Sequence, residues 1–289
     1  KVGTMQGGGG SKDTWLLADV PVSTFSLLPS PHRPMLLSRA GGDLSSRHAD
    51  NFYWLGRYIE RAESVVRLLR GILSRLTEKS GMTEVPELPT LLRVLTAQTQ
   101  TFPGFFEKGP NPPIEQPEGE LLSVIFDGER AGSLASTLGL LQRVASKVRD
   151  RISVDMWRTL SHLMVDLMAD LNAMSPPWPQ DGQDEETTQL DARGILSDVL
   201  EVLDAGISRL AAFSGLIAEN LTRGQSWTFL DMGRRIERSL QVCSLLRNTL
   251  GFEMRSEGPI LEALLEIADS AMTYRRRYLS MLQASPVLD

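Results

Sequence analysis

The chain has 289 residues, of which 42% are hydrophobic and 23% are charged, so it is long and apolar enough to bury one large core. A net charge of −6 argues against a nucleic-acid-binding or anionic-membrane surface. The single cysteine excludes an internal disulfide, and no apolar run approaches the roughly 20 residues of a membrane span, so a cytoplasmic protein is expected.

Residues 1–17 are predicted to form a strand, a glycine-rich loop and a second strand. From the residues alone, the run from Gly7 to Ser11 is interpreted as a flexible linker. A phosphate-binding loop is the alternative, because glycine amides and Lys12 can hold an anion. It is not a Walker A loop, since Asp13 follows Lys12 and no helix opens there. Residues 19–43, rich in proline, serine and glycine, are expected to be a semi-extended linker.

The rest of the chain shows helical periodicity, which predicts an all-α antiparallel bundle of seven to eight helices. The first long helix begins near Ser45 or Ser46, and its apolar residues recur every three or four positions from Phe52 to Leu76. The further predicted helices cover about residues 88–101, 120–126, 134–151, 153–171, 189–222, 227–250 and 259–282.

Two of these helices are related in sequence, because residues 52–69 return as residues 229–246 with nine of eighteen positions identical. Both copies contain Gly-Arg-x-Ile-Glu-Arg. Their glycines, Gly56 and Gly233, each cost a helix about 1 kcal/mol relative to alanine, a cost usually tolerated where two backbones approach closely. We therefore expect the two helices to cross at the glycines. Cys243 lies in the apolar stripe of the second copy and is expected to be a small core side chain.

The glutamates and arginines of the repeat have two interpretations. In the first, Glu60 meets Arg238 and Glu237 meets Arg61 across a pseudo-two-fold axis, and the pairs fix the register of the bundle. In the second, the charged residues form an anion or carboxylate clamp, with arginine forks holding the ligand and glutamates orienting them or acting in acid–base steps. The residues concerned are Arg57, Glu60, Arg61, Glu63, Arg234, Glu237 and Arg238. The structural interpretation is favoured, because ion-pair networks also occur without catalysis.

Other chemistry is disfavoured by composition. There is no Glu-x-x-His pair, Cys-x-x-Cys or nucleophile elbow, so neither a metal site nor a catalytic nucleophile is predicted. The cluster from Tyr274 to Tyr278 is interpreted as a solvated helix face, with one arginine able to point at the same pocket as the repeat.

Two stretches of the chain resemble known families. Residues 6–15, QGGGGSKDTW, resemble the closing segment of circularly permuted ATP-grasp ligases, with one glycine more than that pattern. From residue 44 onward the chain resembles the alpha-E family, an all-helical domain named for its Glu-Arg motif. The matching motifs are ADNFYWLGRYIERAE at 49–63, VRDRISVDMW at 148–157, ENLTR at 219–223 with WTFLDMGRRIER at 227–238, and MTYRRRY at 272–278.

The resemblance implies three parts: residues 1–18 as the end of an ATP-grasp domain, 19–43 as a linker, and 44–289 as a C-terminally truncated alpha-E domain. ATP and Mg²⁺ are then expected in the ATP-grasp domain, upstream of Lys1, and no cofactor in this fragment. The expected partners are that domain in cis and transglutaminase-like or peptidase proteins, with no nucleic acid and no membrane; association into a homo-oligomer is left open.

The function implied is that of an accessory domain, which positions a substrate or a partner for an ATP-dependent carboxylate–amine ligase. A self-contained ligand-binding or catalytic domain using the Arg/Glu clamp is the alternative, and a structural oligomerisation bundle is the third. The fragment alone is not expected to be catalytic. Secondary site candidates are Arg149, Asn220, Arg223, Tyr274 and Arg275, with Gln6, Ser11 and Lys12 on the nucleotide side.

Overall fold

A computed structural model describes residues 15, 17–22, 25, 44–78, 85–106, 117–174, 185–250, 257–278 and 282–289. The chain divides into two compact units, Lys1–Ala40 and Gly41–Asp289. The few described residues of the first unit form neither helix nor strand. The predicted strand–loop–strand of residues 1–17, with Gln6, Ser11 and Lys12, lies outside the described residues except at positions 15 and 17.

The second unit is all-α, as predicted. Its helices are α1 Ser46–Glu78, α2 Leu88–Thr99, α3 Glu118–Phe126, α4 Leu134–Lys147, α5 Val154–Met174, α6 Glu185–Asn220, α7 Gln225–Leu250, α8 Gly258–Ile267, α9 Ala271–Tyr278 and α10 Ala284–Leu288. Two single 3₁₀ turns, Gly104–Phe106 and Arg149–Arg151, complete the described elements. Within the described ranges, none of the helices is long and apolar enough to cross a membrane.

Several helices begin where a serine can accept a hydrogen bond from the exposed amides of the first turn. The Oγ of Ser133 accepts from the amide of Ser136 at 3.0 Å, and the Oγ of Ser153 accepts from the amide of Met156 at 3.2 Å. The Oγ of Ser45 lies 3.4 Å from the amide of His48, so Ser45 is the residue that precedes α1. These serines set the starts of α4, α5 and α1 close to the predicted positions.

Helix α1 is the centre of the bundle, in contact with α2, α4, α6, α7 and α8. Its predicted apolar stripe is fully buried at Phe52, Leu55, Ile59, Ala62, Val66, Leu69 and Leu73, and only Leu76 at its end is half-buried. On the opposite face of α1, Glu60 is buried as well, while Tyr53, Trp54, Arg57 and Arg61 are half-buried. The face of α1 that carries Glu60 packs against α7.

Helices α1 and α7 run in the same direction. The amide of Leu44 donates to Oε1 of Gln225 at 3.0 Å near the start of both helices, and Glu60 pairs with Arg238 further along. Positions that meet are separated in sequence by a nearly constant interval, which only a parallel pair produces. The expected antiparallel arrangement therefore does not describe this pair, although α1 and α6 are antiparallel, as the 3.4 Å contact of Arg70 with Asp204 and the packing of Gly206 near Val66 show.

The two helices touch at their glycines, as the repeat predicts. A Cβ added to Gly56 would overlap the carbonyl oxygen of Leu230 and lie 3.0 Å from the amide nitrogen of Arg234. A Cβ on Gly233 would overlap the carbonyl oxygen of Tyr53 and lie 3.2 Å from the amide nitrogen of Arg57. The obstructing atoms are backbone, so they cannot move aside without separating the helices.

The last predicted helix, 259–282, is in fact interrupted after Ile267. Asp269 has a φ of 53°, in the left-handed region, and the amide of Ser270 donates to the carbonyl of Leu265 at 2.8 Å. The amide of Asp269 donates to the carbonyl of Glu266 at 3.1 Å, which completes a Schellman-type end. Aspartate tolerates this conformation better than most residues. Because glycine is the usual signal for such an end, the sequence did not indicate the break.

The middle of the apolar stripe of α7 is exposed, unlike the equivalent part of α1, whereas Phe229, Leu246 and Leu250 at its ends pack against the core. Met232, Ile236 and Leu240 are each more than a third exposed, and Cys243 is exposed as well. The prediction of a core cysteine is therefore wrong. Helix α7 presents its glycine face to α1, and this orientation turns the stripe outward.

We expect Gly233→Ala to lower the free energy of unfolding, although alanine is the better helix former. Overlap with the backbone of α1 forces the helices apart, and overpacking of this kind costs on the order of 2 kcal/mol. Gly215→Ala in α6 is the matched control, because no atom lies within 4 Å of a Cβ there, and it should stabilise by about 0.5–1 kcal/mol. Urea unfolding followed by circular dichroism measures both. Equal effects of the two substitutions would contradict the close contact.

Candidate functional site: the crossed Glu–Arg cluster

Glu237 of α7 is held by two arginines of α1. Nε of Arg61 donates to its Oε1 at 2.7 Å and the outer nitrogen of Arg61 to Oε2 at 3.2 Å. Nε of Arg57 also donates to Oε2. A fourth hydrogen bond comes from Nε2 of Gln241, one turn further along α7, at 3.0 Å. Both carboxylate oxygens of Glu237 are therefore fully engaged.

Glu60 of α1 has the mirror arrangement with α7. Arg238 donates through Nε to Oε1 and through an outer nitrogen to Oε2 at 3.0 Å. Nε of Arg234 donates to Oε2 at 3.3 Å, while its outer nitrogen reaches Oγ of Ser214 at 3.3 Å. The predicted crossing of Glu60 with Arg238 and of Glu237 with Arg61 is confirmed, and each glutamate has a second arginine as well. We call the side chains of Arg57, Glu60, Arg61, Arg234, Glu237 and Arg238 the crossed Glu–Arg cluster.

Burial and charge together set the protonation of the cluster. Glu237 is 1% exposed. Its burial alone would raise its pKa, but hydrogen bonds from Arg61 and Arg57 outweigh that effect and the pKa lies below its ordinary value. The hydrogen bond to Glu60 raises the pKa of Arg238 above its ordinary value. The glutamate of α7 is thus held ionised.

The cluster contains four guanidinium groups and two carboxylates, so it carries surplus positive charge. On α1 this charge lies against aromatic rings: the guanidinium of Arg57 is 5.7 Å from the ring centre of Tyr53 and 5.5 Å from that of Trp54. Arg61 lies 5.6 Å from the ring centre of Tyr58. Ring faces attract cations, so the aromatic residues of the motif offset part of the surplus.

A carboxylate that accepts three or four hydrogen bonds from cations and amides is a weak general base, because protonation would break those bonds. The geometry therefore favours the structural interpretation of the cluster over acid–base catalysis. Within the part of the chain that the structure describes, no group of three or more His, Cys, Asp or Glu side chains is placed to hold a metal ion.

Beside the cluster lies a cavity of about 310 Å³ between α1, α2, α7 and the turn after α8. Its polar lining includes Glu60 and Arg238 from the cluster and Glu63, another of the predicted site residues. Oε1 of Glu63 accepts from Arg67 at 3.1 Å, and Arg67 also contacts Asp269 at 3.3 Å. The cavity is hereafter called the α1–α7 cavity.

Two glutamines of the α1–α7 cavity were missed by sequence reasoning. Gln98 of α2 donates through Nε2 to the carbonyl oxygen of Gln241 at 2.9 Å, and each of the two residues is only 7% exposed. Gln241 follows Glu237 by one helical turn, a spacing that could have marked it as a neighbour of the motif. Gln98 offered no such signal, because only folding brings α2 against α7.

The secondary candidates are distributed over other parts of the fold. Arg149 lies 4.8 Å from the ring centre of Trp157, and Arg223 lies 5.1 Å from that of Trp227. Asn220 is exposed at the last position of α6. Tyr274 and Arg275 of α9 line a second cavity of about 720 Å³ together with Arg75. None of the arginines of α9 is among the residues that line the α1–α7 cavity, so the prediction that one of them points at the same pocket as the repeat is wrong.

We expect Glu237→Gln to lower the free energy of unfolding by about 3 kcal/mol at neutral pH, since it leaves Arg57 and Arg61 without their buried counter-charge. Asp231→Asn is the control, because Asp231 pairs with the exposed Arg235 at 2.6 Å within one helix. That loss should be about 0.3–0.5 kcal/mol. Chemical denaturation of both variants measures the difference, and a loss below 1 kcal/mol for Glu237→Gln would contradict a buried stabilising pair.

The same glutamate predicts an acid dependence of stability. Because the folded pKa of Glu237 lies below its ordinary value of 4.5, its contribution is fully present above that value and is lost as pH falls through the folded pKa. Unfolding free energies between about pH 6 and pH 3 should therefore fall more steeply for the unmodified protein than for Glu237→Gln. Parallel curves would show that this carboxylate does not titrate with folding.

Comparison with known proteins supports the resemblance of the helical unit to the alpha-E family. Residues 44–289 match the model of the Alpha-E family, described as a predicted alpha-helical domain with a conserved ER motif. The two Gly-Arg-x-Ile-Glu-Arg segments of the crossed Glu–Arg cluster lie within the matched range. No solved structure gives a significant match.

Curated relatives extend the match to almost the whole chain. The uncharacterized protein Rv2567 of Mycobacterium tuberculosis and the uncharacterized protein Mb2597 of Mycobacterium bovis are each 30% identical over 293 aligned residues. The alignment covers 96% of this chain and 31% of each relative, so the chain spans about a third of the relatives' length. On the family match over residues 44–289, the chain belongs to the Alpha-E family.

Proposed function

We propose that the helical unit is an accessory domain of an ATP-grasp carboxylate–amine ligase system. In this role it positions a substrate or a partner while the ATP-grasp domain, with ATP and Mg²⁺, activates a carboxylate and forms an amide or peptide bond. The system is proposed to work in the cytoplasm, with transglutaminase-like or peptidase proteins as further partners.

One observation carries the positioning role. In the crossed Glu–Arg cluster the glutamates are occupied by arginines of the opposite helix, so their charges are used to hold α1 and α7 in one register. The cavity of about 310 Å³ beside them therefore has a rigid wall. Rigid walls with a few placed polar groups are what a small-molecule site requires.

The link to an ATP-grasp domain rests on residues 6–15, whose resemblance to the closing segment of such ligases was noted from sequence. The length of the curated relatives is compatible with it, since about two-thirds of each lies outside the aligned region. These observations support the proposal from different directions, one from a motif and the other from chain length.

A self-contained ligand site is the second candidate, favoured by one feature of the cluster. Arg61 and Arg238 each use Nε and one outer nitrogen on a glutamate, and their remaining outer nitrogens have no partner among the described residues. The side chain of Arg238 is 60% exposed and lines the cavity, so it can reach an anion there. An oligomerisation role is the third candidate, because α7 exposes Met232, Ile236 and Leu240.

We expect ADP release from ATP by the complete ligase to depend on the helical domain. With carboxylate and amine substrates supplied, removal of residues 44–289 should lower kcat/KM for one co-substrate by at least about tenfold, because an unpositioned reactant loses effective concentration. The control is ATP binding by the ATP-grasp domain, which should be unchanged. An unchanged kcat/KM without the helical domain would overturn the proposal.

The same assay separates the candidates through Glu60→Gln. Under the positioning role, activity and melting temperature should fall together, since the substitution removes the carboxylate that pairs α1 with Arg234 and Arg238 of α7. Lost activity with an unchanged melting temperature would indicate a site that uses Glu60 directly. Sedimentation of the intact chain tests the third candidate, which requires a concentration-dependent oligomer.

A further inference from the structure

The exposed face of α7 has the composition of a buried helix face. The sequence repeat relates its residues to residues of α1 that lie 177 positions earlier in the chain. Met232, Ile236 and Cys243 of α7 stand where α1 has Leu55, Ile59 and Val66, all of which are 0% exposed. The chain thus carries the same apolar pattern twice, once covered by other helices and once open.

The open part of α7 is an apolar surface of useful size. Met232 is 40% exposed, Ile236 is 39% exposed and Leu240 is 54% exposed, while Ser239 and Cys243 are exposed among them. Of the described helices, α7 alone exposes large apolar side chains on three successive turns. These side chains present roughly 300 Å² of apolar surface, a size at which a patch on a protein is often functional. We call these five residues the α7 seam.

The equivalent stripe of α1 shows what kind of element covers such a face in this fold. Helix α6 lies against Val66 there, since a Cβ added to Gly206 of α6 would lie 4.0 Å from Cγ1 of Val66. Helices α6 and α1 run antiparallel, with Arg70 of α1 3.4 Å from Asp204 of α6. The α7 seam therefore calls for a helix that runs antiparallel to α7 and brings a matching apolar face.

We propose that the α7 seam binds the α7 seam of a second copy of the chain, with the two helices antiparallel across a two-fold axis. A second copy supplies a helix with an uncovered apolar face, and a two-fold axis lets each seam cover the other. With the axis at Ser239, residues equally far before and after it in sequence are at the same level. Ile236 then meets Cys243 of the partner subunit.

The centre of the α7 seam is suited to close contact. Ser239 is small, and its hydroxyl already donates to the carbonyl oxygen of Arg235 at 2.9 Å, so burying it leaves no donor unpaired. The equivalent position on α1 is Ala62, which is also small and is 0% exposed. A small residue at the centre lets two helices approach each other, as the glycines do between α1 and α7.

The charges around the α7 seam do not oppose this pairing. In the antiparallel register, Arg235 is level with Cys243 of the partner subunit and Arg238 is level with Leu240 of the partner subunit. Arg247 is level with Asp231 of the partner subunit. No two of these arginines are therefore level with each other, and the repulsion that like charges cause at an interface is avoided.

The size of the α7 seam sets the strength of the association. Two such patches, with the polar groups around them, bury about 1,000 Å² in total, which is below the range of tight complexes. We therefore expect a weak dimer, with a Kd on the order of 10–100 μM.

This inference goes beyond the proposed function and does not rest on it, because the association requires neither ATP nor an ATP-grasp domain. Gly233 and Glu237, which meet α1, are buried on a different face of α7, so the dimer leaves the crossed Glu–Arg cluster intact. ADP release can depend on the helical domain whether or not the chain dimerises, so the two proposals fail separately.

The first test is sedimentation velocity of the 289-residue chain between about 1 and 300 μM, where the sedimentation coefficient should rise from monomer towards dimer. Ile236→Lys places a charge in the α7 seam and should weaken the association by about 10-fold or more. Val165→Lys is the matched control, because Val165 is 59% exposed on α5, and it should leave the association unchanged. Circular dichroism checks that both variants are folded.

Disulfide formation tests the register and does not depend on the charged variant. In a Cys243→Ser chain, Ser239→Cys places a thiol at the two-fold axis, where the two copies come within reach of a disulfide. Mild oxidation should then convert the chain to a covalent dimer. Ser146→Cys in the same Cys243→Ser chain is the control, because Ser146 is exposed on α4, and it should stay monomeric.

The direction of the helices is tested with Cys243 retained. In this chain, Ile236→Cys should give a disulfide that joins position 236 of one copy to position 243 of the other, which peptide mapping by mass spectrometry identifies. A parallel pair would join position 236 to position 236, and this product in place of the first would overturn the antiparallel arrangement.

Other results would overturn the inference as a whole. They are a sedimentation coefficient that does not change up to about 300 μM, equal association of folded Ile236→Lys and Val165→Lys chains, and oxidation that links position 239 no faster than position 146. A chain that stays monomeric in this way would leave the α7 seam to a helix of another protein, and the second copy would be discarded as its occupant.

Discussion

The backbone contact between α1 and α7 is the constraint on which the rest of the structure depends. Only glycine at positions 56 and 233 lets the helices approach until backbone meets backbone. At that separation an arginine from one helix can reach a glutamate of the other through two nitrogens, as Arg238 does with Glu60. A wider separation would leave buried charges without partners, at a cost that their attraction could not offset. The glycines and the crossed Glu–Arg cluster therefore depend on each other, because the ion pairs form only at the helix separation that the glycines allow.

The close contact of α1 with α7 also explains where the polar cavity lies. Because α1 is enclosed on one face by the apolar core and on the other by α7, the remaining polar groups collect where α2 and the turn after α8 meet the pair. Gln98 and Asp269 come from these two places. The glutamates of the cluster are fixed by their arginines, whereas the amide oxygens of the glutamines remain without partners among the described residues. The cavity and the unpartnered amide oxygens thus lie beside the motif and not within it.

The motif and its immediate neighbours were predictable from the sequence, and their surroundings were not. The repeat predicted the two motif helices, the glycine contact and the crossing of Glu60 with Arg238. Helical periodicity and a repeated motif can both be recognised in the sequence without knowledge of the packing. The break at Asp269 and the exposure of Cys243 were not predicted. The first depends on a left-handed aspartate that carries no glycine signal, and the second depends on which face α7 presents to its neighbour. Two related helices can carry similar apolar stripes and still differ in which elements pack against them. The sequence pattern shows that a stripe exists but not which element covers it.

The sequence by itself determined the all-α class, the positions of α1 to α7 within a few residues, the paired motif helices and the family resemblance. Only the tertiary structure decided that α1 and α7 run parallel, that Gln98 joins Gln241 at a cavity, and that Tyr274 and Arg275 belong to a different one. The physical reason is that helix periodicity fixes which residues share a face, whereas the neighbour of that face is set by packing between distant segments. Gln98 and Gln241 are 143 positions apart, and no local preference links them.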